Sequence, residues 1–176
     1  MDAEMRKSSG ITLLELLITI SIITLVLTLG VPSVLAIQKS MQLKGAVEVS
    51  YFAMQQARVS AVAARSDVSV VFNASSPWCI ALSDQGICDC RVYADCTIDG
   101  VEQKIQHSDF HLITLNDIRF GDDSIAVFDG VRGLAIGHAG SLVFSDGDNQ
   151  VKLLLSNMGR VRICSLVGQT GTYESC

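Results

Sequence analysis

One stretch of this chain constrains it more than any other. From Leu16 to Gln38 there is no Asp, Glu, Lys or Arg. About 20 apolar residues suffice for a helix to cross a bilayer. The apolar core of a secretory signal peptide is shorter, about 7–15 residues, so this run reads as a membrane span. Arg6 and Lys7 precede it and no basic residue follows immediately. That bias keeps the N-terminus on the cytoplasmic side. Glu15 breaks the pattern, because a carboxylate in a spanning segment costs about 2.5–3.5 kcal/mol on insertion scales. It either sits near the interface or pairs with a cation from another chain.

The residues around Glu15 carry a resemblance. The segment SSG-ITLLE places a short basic leader ending in Gly10 before Ile11, Thr12, two leucines and Glu15, with Gly30 and Pro32 further on. This resembles the leader of type IV pilins, although the family usually has Phe where Ile11 stands. The resemblance implies that a prepilin peptidase cuts after Gly10 and methylates the new amine of Ile11. It also implies that Glu15 neutralises the N-terminal amine of a neighbouring subunit during filament assembly.

Beyond the apolar run, Leu43, Val47, Tyr51, Met54, Ala57, Ala61 and Ala64 recur at three- and four-residue spacing, which makes one apolar helix face. Only Gly45 interrupts between Pro32 and Ser66. The pattern predicts one helix from about Thr12 to Arg65, kinked near Pro32. At about 1.5 Å per residue it is roughly 80 Å long. No globular core buries such a length, so residues 11–37 belong in a membrane or a filament core. Residues 38–66 form an amphipathic half that packs on a sheet. From Asp67 the pattern changes to short strand-like runs: 68–72, 78–82, 91–93, 98–105, 117–120, 134–137, 141–144, 151–155 and 160–166, with turn residues between many of them. The fold class is α+β, a long helix against an antiparallel sheet in residues 67–176.

Cys79, Cys88, Cys90, Cys96, Cys164 and Cys176 all lie beyond the apolar run. An even count there fits an oxidising compartment and a disulfide framework. Cys164–Cys176 is the favoured pair, tying down the tail, with two local bridges among the other four and none between Cys88 and Cys90. Zinc at the Cys88–Cys90 cluster is the alternative, but the spacing matches no standard zinc knuckle. His107 and His111 stand four apart and read as loop residues. Asp146–Asn149 reads as a hairpin turn, since it lacks the later Glu of a calcium loop. No nucleophile motif and no phosphate loop is present. The chain reads as a non-enzyme with no cofactor and no metal.

The last strand-like pair is VKLLLSNMGRVRIC. Arg160 and Arg162 alternate with Val161 and Ile163, which puts both guanidiniums on one face of a strand. Pattern alone allows a plain solvated edge. Together with ARVSAVAARSDVSVVF, Trp78 and GSLVFSDGDNQVKLLLSNMGRVRIC, the segment resembles the GspH/FimT family of minor pilins and pseudopilins; residues 83–133 are the weakest part of that likeness. In that family a Gly-Arg-x-Arg motif marks FimT-type pilins that bind DNA for natural transformation, and Gly159 to Arg162 match it in order. The resemblance implies the pilin fold and a minor pilin, first in the bacterial inner membrane with its C-terminal domain periplasmic and then in the surface pilus. Its partners would be other major and minor pilins and weakly bound, non-specific DNA. A FimU-like subunit priming pilus assembly and a GspH-like pseudopilin of type II secretion are the alternatives. The formal net charge of −5 excludes bulk attraction to DNA, so Arg160 and Arg162, with Lys152 nearby, would form a local patch whose binding depends strongly on salt.

Overall fold

The computed structural model of the chain describes residues 12–121, 124–168 and 173–176, and the side chains of 29–33 also fall outside the description. The leader, Gly10 and Ile11 therefore lie outside the described residues, as does the Pro32 side chain at the expected kink. Helix α1 runs Leu13–Ala64. Thr12 caps it, its hydroxyl accepting the backbone N–H of Glu15 at 3.3 Å. A Thr followed three residues later by Glu is the sequence form of a capping box, and a carboxylate in the first turn favours the positive end of the helix dipole.

The chain divides into two compact units, residues 1–38 and 39–176. In the first, every described side chain of α1 is exposed. The hydroxyls of Thr19, Ser21, Thr24 and Thr28 donate to carbonyls three or four residues back. Those four hydroxyls are thus satisfied within the helix itself. Among the described residues no helix is long and apolar enough to cross a membrane. The apolar run read from the sequence passes through residues 29–33, outside that description.

In the second unit, α1 buries one face. Leu43, Ala46, Val47, Ser50, Met54, Ala57 and Ala61 are each at most 1% exposed. Small residues dominate this stripe, and the Ser50 hydroxyl donates to the Ala46 carbonyl at 2.7 Å. Tyr51 is half-buried and Ala64 is exposed, so the buried face stops at Ala61. The helix ends with Arg65 in the left-handed region (φ 53°) and Ser66 N–H bonded back to the Ala61 carbonyl. This is the geometry of a Schellman end, with Arg where Gly is more usual.

The strands form two antiparallel sheets. The first joins β1 (Val68–Asn73), β2 (Cys79–Ser83), β3 (Thr97–Ile98), β4 (Val101–Gln106) and β6 (Ile125–Phe128) in the order β3-β4-β2-β1-β6. The second joins β5 (Thr114–Phe120), β7 (Gly140–Ser145), β8 (Gln150–Leu155) and β9 (Val161–Val167) in the order β5-β7-β8-β9. Residues of α1 and of both sheets share one core cluster. Phe72 of β1 stacks on Phe120 of β5 with centroids 4.4 Å apart. Trp78, just before β2, meets Phe144 of β7 edge-on and donates its indole N–H to the Ile113 carbonyl at 2.7 Å.

The architecture is the α+β plan expected: a long N-terminal helix packed on antiparallel sheets, consistent with a pilin fold. The single sheet implied by the strand pattern is two. The run 91–93 is a turn inside a disulfide-bonded loop, and 134–137 is a turn region rather than a strand. The run 98–105 is a hairpin broken at Asp99–Gly100, both with positive φ. β6 escaped notice because Ile125–Phe128 is a short, continuously apolar run without alternation.

Candidate functional site

The sequence motif at residues 159–162 falls on the turn from β8 into β9. Ser156 organises that turn. Its N–H donates to the Arg160 carbonyl at 3.0 Å, and its hydroxyl accepts the Arg160 N–H at 3.2 Å. Gly159 is buried with φ 71°. A β-carbon there would collide with the Gly133 carbonyl and come within 3.2 Å of Arg58 Nε. The position therefore needs glycine twice over, for its backbone angle and for the close approach of a second loop. That loop is held by the Ala135 N–H donating to the Asn157 carbonyl at 2.9 Å.

Arg160 is exposed and lies one residue before β9, not within it as the alternation suggested. Val161 follows, buried at the strand's start, and Arg162 is exposed. β9 pairs with β8 through Leu154↔Arg162 and Lys152↔Cys164. Directly opposed residues share a sheet face, so Arg162 and Lys152 project from the same side. They line a groove of about 320 Å³ with Leu154, Cys164, Glu174 and Cys176. Among the described residues Arg160, Arg162 and Lys152 take part in no ion pair. Arg119, further along the same row, is paired with Asp117 at 2.7 Å.

The cysteines form Cys79–Cys90, Cys88–Cys96 and Cys164–Cys176. The first two fold the segment after β2 back across the outer side of the first sheet, where Cys79, Ala81, Cys90 and Cys96 make a small buried cluster. The third fixes the tail beside β9, where Ser165 N–H donates to the Glu174 carbonyl and Cys176 N–H to the Ser165 carbonyl. Tyr173 anchors the same tail on α1, its hydroxyl donating to Glu48 Oε1 at 3.3 Å. Burial, then the negative charge of Glu48 and that hydrogen bond, push the Tyr173 phenol up to about 12.

The other candidate groups are placed as follows. Glu15 is exposed in the first turn of α1. His107 stands edge-on to Trp78 at 6.1 Å, and His111 is exposed in the following turn, so the two share no helix. Asp146 closes the β7–β8 turn, accepting the N–H groups of Asp148 and Asn149. Burial pushes the Asp146 carboxyl up, but the hydrogen bonds from Asn149 and Asp148 and the Lys39 charge outweigh it, so the net shift is downward. Among the described residues no cluster of three or more His, Cys, Asp or Glu is placed to hold a metal. Arg58 is a neighbour of the Gly159 turn that the sequence did not reveal. Its only signal was a place on the polar side of α1, about a hundred residues away.

The family model described as the prokaryotic N-terminal methylation motif matches residues 5–31. The match spans Gly10, Ile11 and Glu15 and stops within α1. No curated protein and no solved structure matches the chain. The chain thus carries a type IV pilin-like N-terminal methylation motif at the head of a long helix packed on antiparallel sheets.

Proposed function

We propose that this chain is a FimT-like minor pilin of the type IV pilus that binds extracellular DNA without sequence preference for uptake in natural transformation. In this reading a prepilin peptidase removes residues 1–10 and methylates Ile11. Residues 11–37 anchor the chain in the inner membrane and later pack in the filament core among other pilins. Glu15 neutralises a neighbour's terminal amine. The protein works by interaction rather than by catalysis.

The observation that carries the DNA reading is the pair Arg160 and Arg162. Both are exposed, neither is paired with a carboxylate among the described residues, and both follow a glycine locked in place by a second loop. Cations held this way are available to phosphates, and backbone contacts position DNA without reading its sequence. With so few contacts the affinity sits at the weak end of non-specific binding, about 10⁻⁴ M at physiological salt. Several copies in one filament raise it through avidity.

The test is fluorescence anisotropy of a labelled duplex titrated with the full chain in detergent micelles, at low and moderate salt. Binding that falls with salt and is lost in Arg160→Ala/Arg162→Ala supports the proposal. Absence of binding by the wild type at high micromolar concentration, at either salt, overturns it. A second reading, an assembly-priming or secretion subunit that contacts protein, draws on a different feature. Val49, Phe52, Ala53, Leu82 and Ile105 line an open groove of about 260 Å³ beside α1, and Phe52 is 65% exposed.

A further inference from the structure

Arg160 and Arg162 are not alone. The loop 129–133 lies against the C-terminal part of α1, and both ends of that contact involve arginine. A β-carbon on Gly130 would collide with the backbone of Arg65 and Ser66. One on Gly133 would come within 2.9 Å of Arg58 Cγ and 3.1 Å of Arg58 Nε. Gly133 in turn presses its carbonyl on Gly159, whose own β-carbon position is 3.2 Å from Arg58 Nε. Arg58 therefore touches both glycines, Arg132 is the chain neighbour of one and Arg160 of the other. Arg65 follows the last residue of α1, and its backbone lies against Gly130 of the same loop.

Arg65, Arg132 and Arg160 are exposed and Arg58 is half-buried. None of the four forms an ion pair among the described residues. Two carboxylates share the neighbourhood, and both are engaged by backbone amides. Asp129 accepts from Val131, Arg132 and Leu134, and Asp67 from Gly130. The Arg132 amide first, then the amides of Leu134 and Val131 and the charge of Arg132 itself, hold the Asp129 carboxyl below the usual range against the effect of burial. These carboxylates shape the loop, and among the described residues neither forms an ion pair with the four guanidiniums.

We propose that Arg58, Arg65 and Arg132 extend the Arg160–Arg162 pair into one continuous arginine track that binds the phosphate backbone of a nucleic acid. The inference rests on the DNA-binding reading above and changes its footprint. The contact surface spans three elements, α1, the 129–133 loop and the start of β9, brought together by Gly133 and Gly159. A chain with a net charge of −5 can then still hold a polyanion, because guanidiniums that form no ion pair among the described residues gather around the Gly133–Gly159 contact. Arg58 also has a supporting role, since its stem backs the glycine contact that presents Arg160.

The experiment measures the salt dependence of duplex binding by the full chain in detergent micelles. Each phosphate contact contributes about −0.9 to the slope of log K against log salt. Arg58→Gln/Arg132→Gln should flatten the slope by about 2 relative to wild type, and Arg132→Gln alone, at an exposed site, by about 1. Arg58→Lys/Arg132→Lys should restore the slope. If the wild type binds and loses binding in Arg160→Ala/Arg162→Ala, but the glutamine variants keep the full slope, the track is wrong and the two-arginine site stands. If the wild type does not bind at all, the DNA reading and the track both fall.

Discussion

Two halves of one helix make the sharpest contrast in this protein. Between Leu13 and Ile37 the residues are mostly large and branched, and those whose side chains are described are exposed; Leu25 and Val26 are each 61% exposed. Between Leu43 and Ala61 the inward residues are mostly small, and none is more than 1% exposed. A helix that faces its own sheets needs one narrow stripe that lets backbone come close. A helix that is apolar on every side shows no such stripe. The difference shows that hydrophobic content alone does not locate a core. The periodicity does, and it begins where the charges return at Lys39.

This contrast can be broken by mutation. Met54→Ala removes a buried side chain between helix and sheets and should destabilise the chain by about 2–5 kcal/mol. Leu25→Ala, from the exposed half, should change stability by less than about 0.5 kcal/mol. Denaturant titration in micelles followed by circular dichroism distinguishes them, and equal effects would mean that the first half contributes to the core. Cys164→Ser/Cys176→Ser should cost about 2–3 kcal/mol in the same assay, the size expected for a bridge closing a short loop. It should leave the buried half of α1 intact.

Gly159→Ala should cost about 1–3 kcal/mol and also weaken the proposed DNA binding, because the turn must move away from Gly133 to admit a methyl group. Gly147→Ala is the control. Its φ is 96° but its surroundings are open, so it should cost only about 1 kcal/mol and leave binding unchanged. Tyr173→Phe should have a smaller effect, seen as faster amide exchange in the tail at neutral pH. The folded phenol titrates at about 12, above its ordinary value near 10. Its stabilisation is therefore complete below pH 10 and lost as pH rises from there through about 12; the phenylalanine variant should lack that decline. Glu15→Ala should have the smallest effect on the chain's own stability, about 0.5 kcal/mol. It should nevertheless impair filament incorporation while membrane insertion persists, and normal incorporation would remove the proposed pairing role.

Much of this could be read from sequence because it is local. The helix face needed only a three- and four-residue repeat, and most strands only a short apolar run between turn residues. The hairpins at Asp146–Asn149 and Ser156–Arg160 announce themselves through Gly, Asn and Asp. What could not be read is whatever depends on distant parts of the chain meeting. Nothing in Ile125–Phe128 says that it will line up beside β1, and nothing in Val68–Leu155 says that the strands will divide into two sheets. Arg58 is the clearest case. In sequence it is one polar residue on a helix; its contact with Gly133 and Gly159 exists only once the 129–133 loop and the β8–β9 turn have met over it. The same holds for Gly159, whose place in a short motif was visible but whose reason, the carbonyl of Gly133, was not.

The chain contains a single tryptophan, and Trp78 stands where the two sheets meet, with its indole hydrogen-bonded across to Ile113 and its ring against Phe144. The molecule thus carries a native optical gauge of its own seam. Emission from a dry indole lies to the blue, and any parting of the sheets admits water and moves it to the red. Because residues 11–37 contain no other indole, the signal comes from the β domain alone, even when the helix is embedded in detergent, lipid or a filament. One spectrum would then tell whether that domain opens when the surroundings of residues 11–37 change.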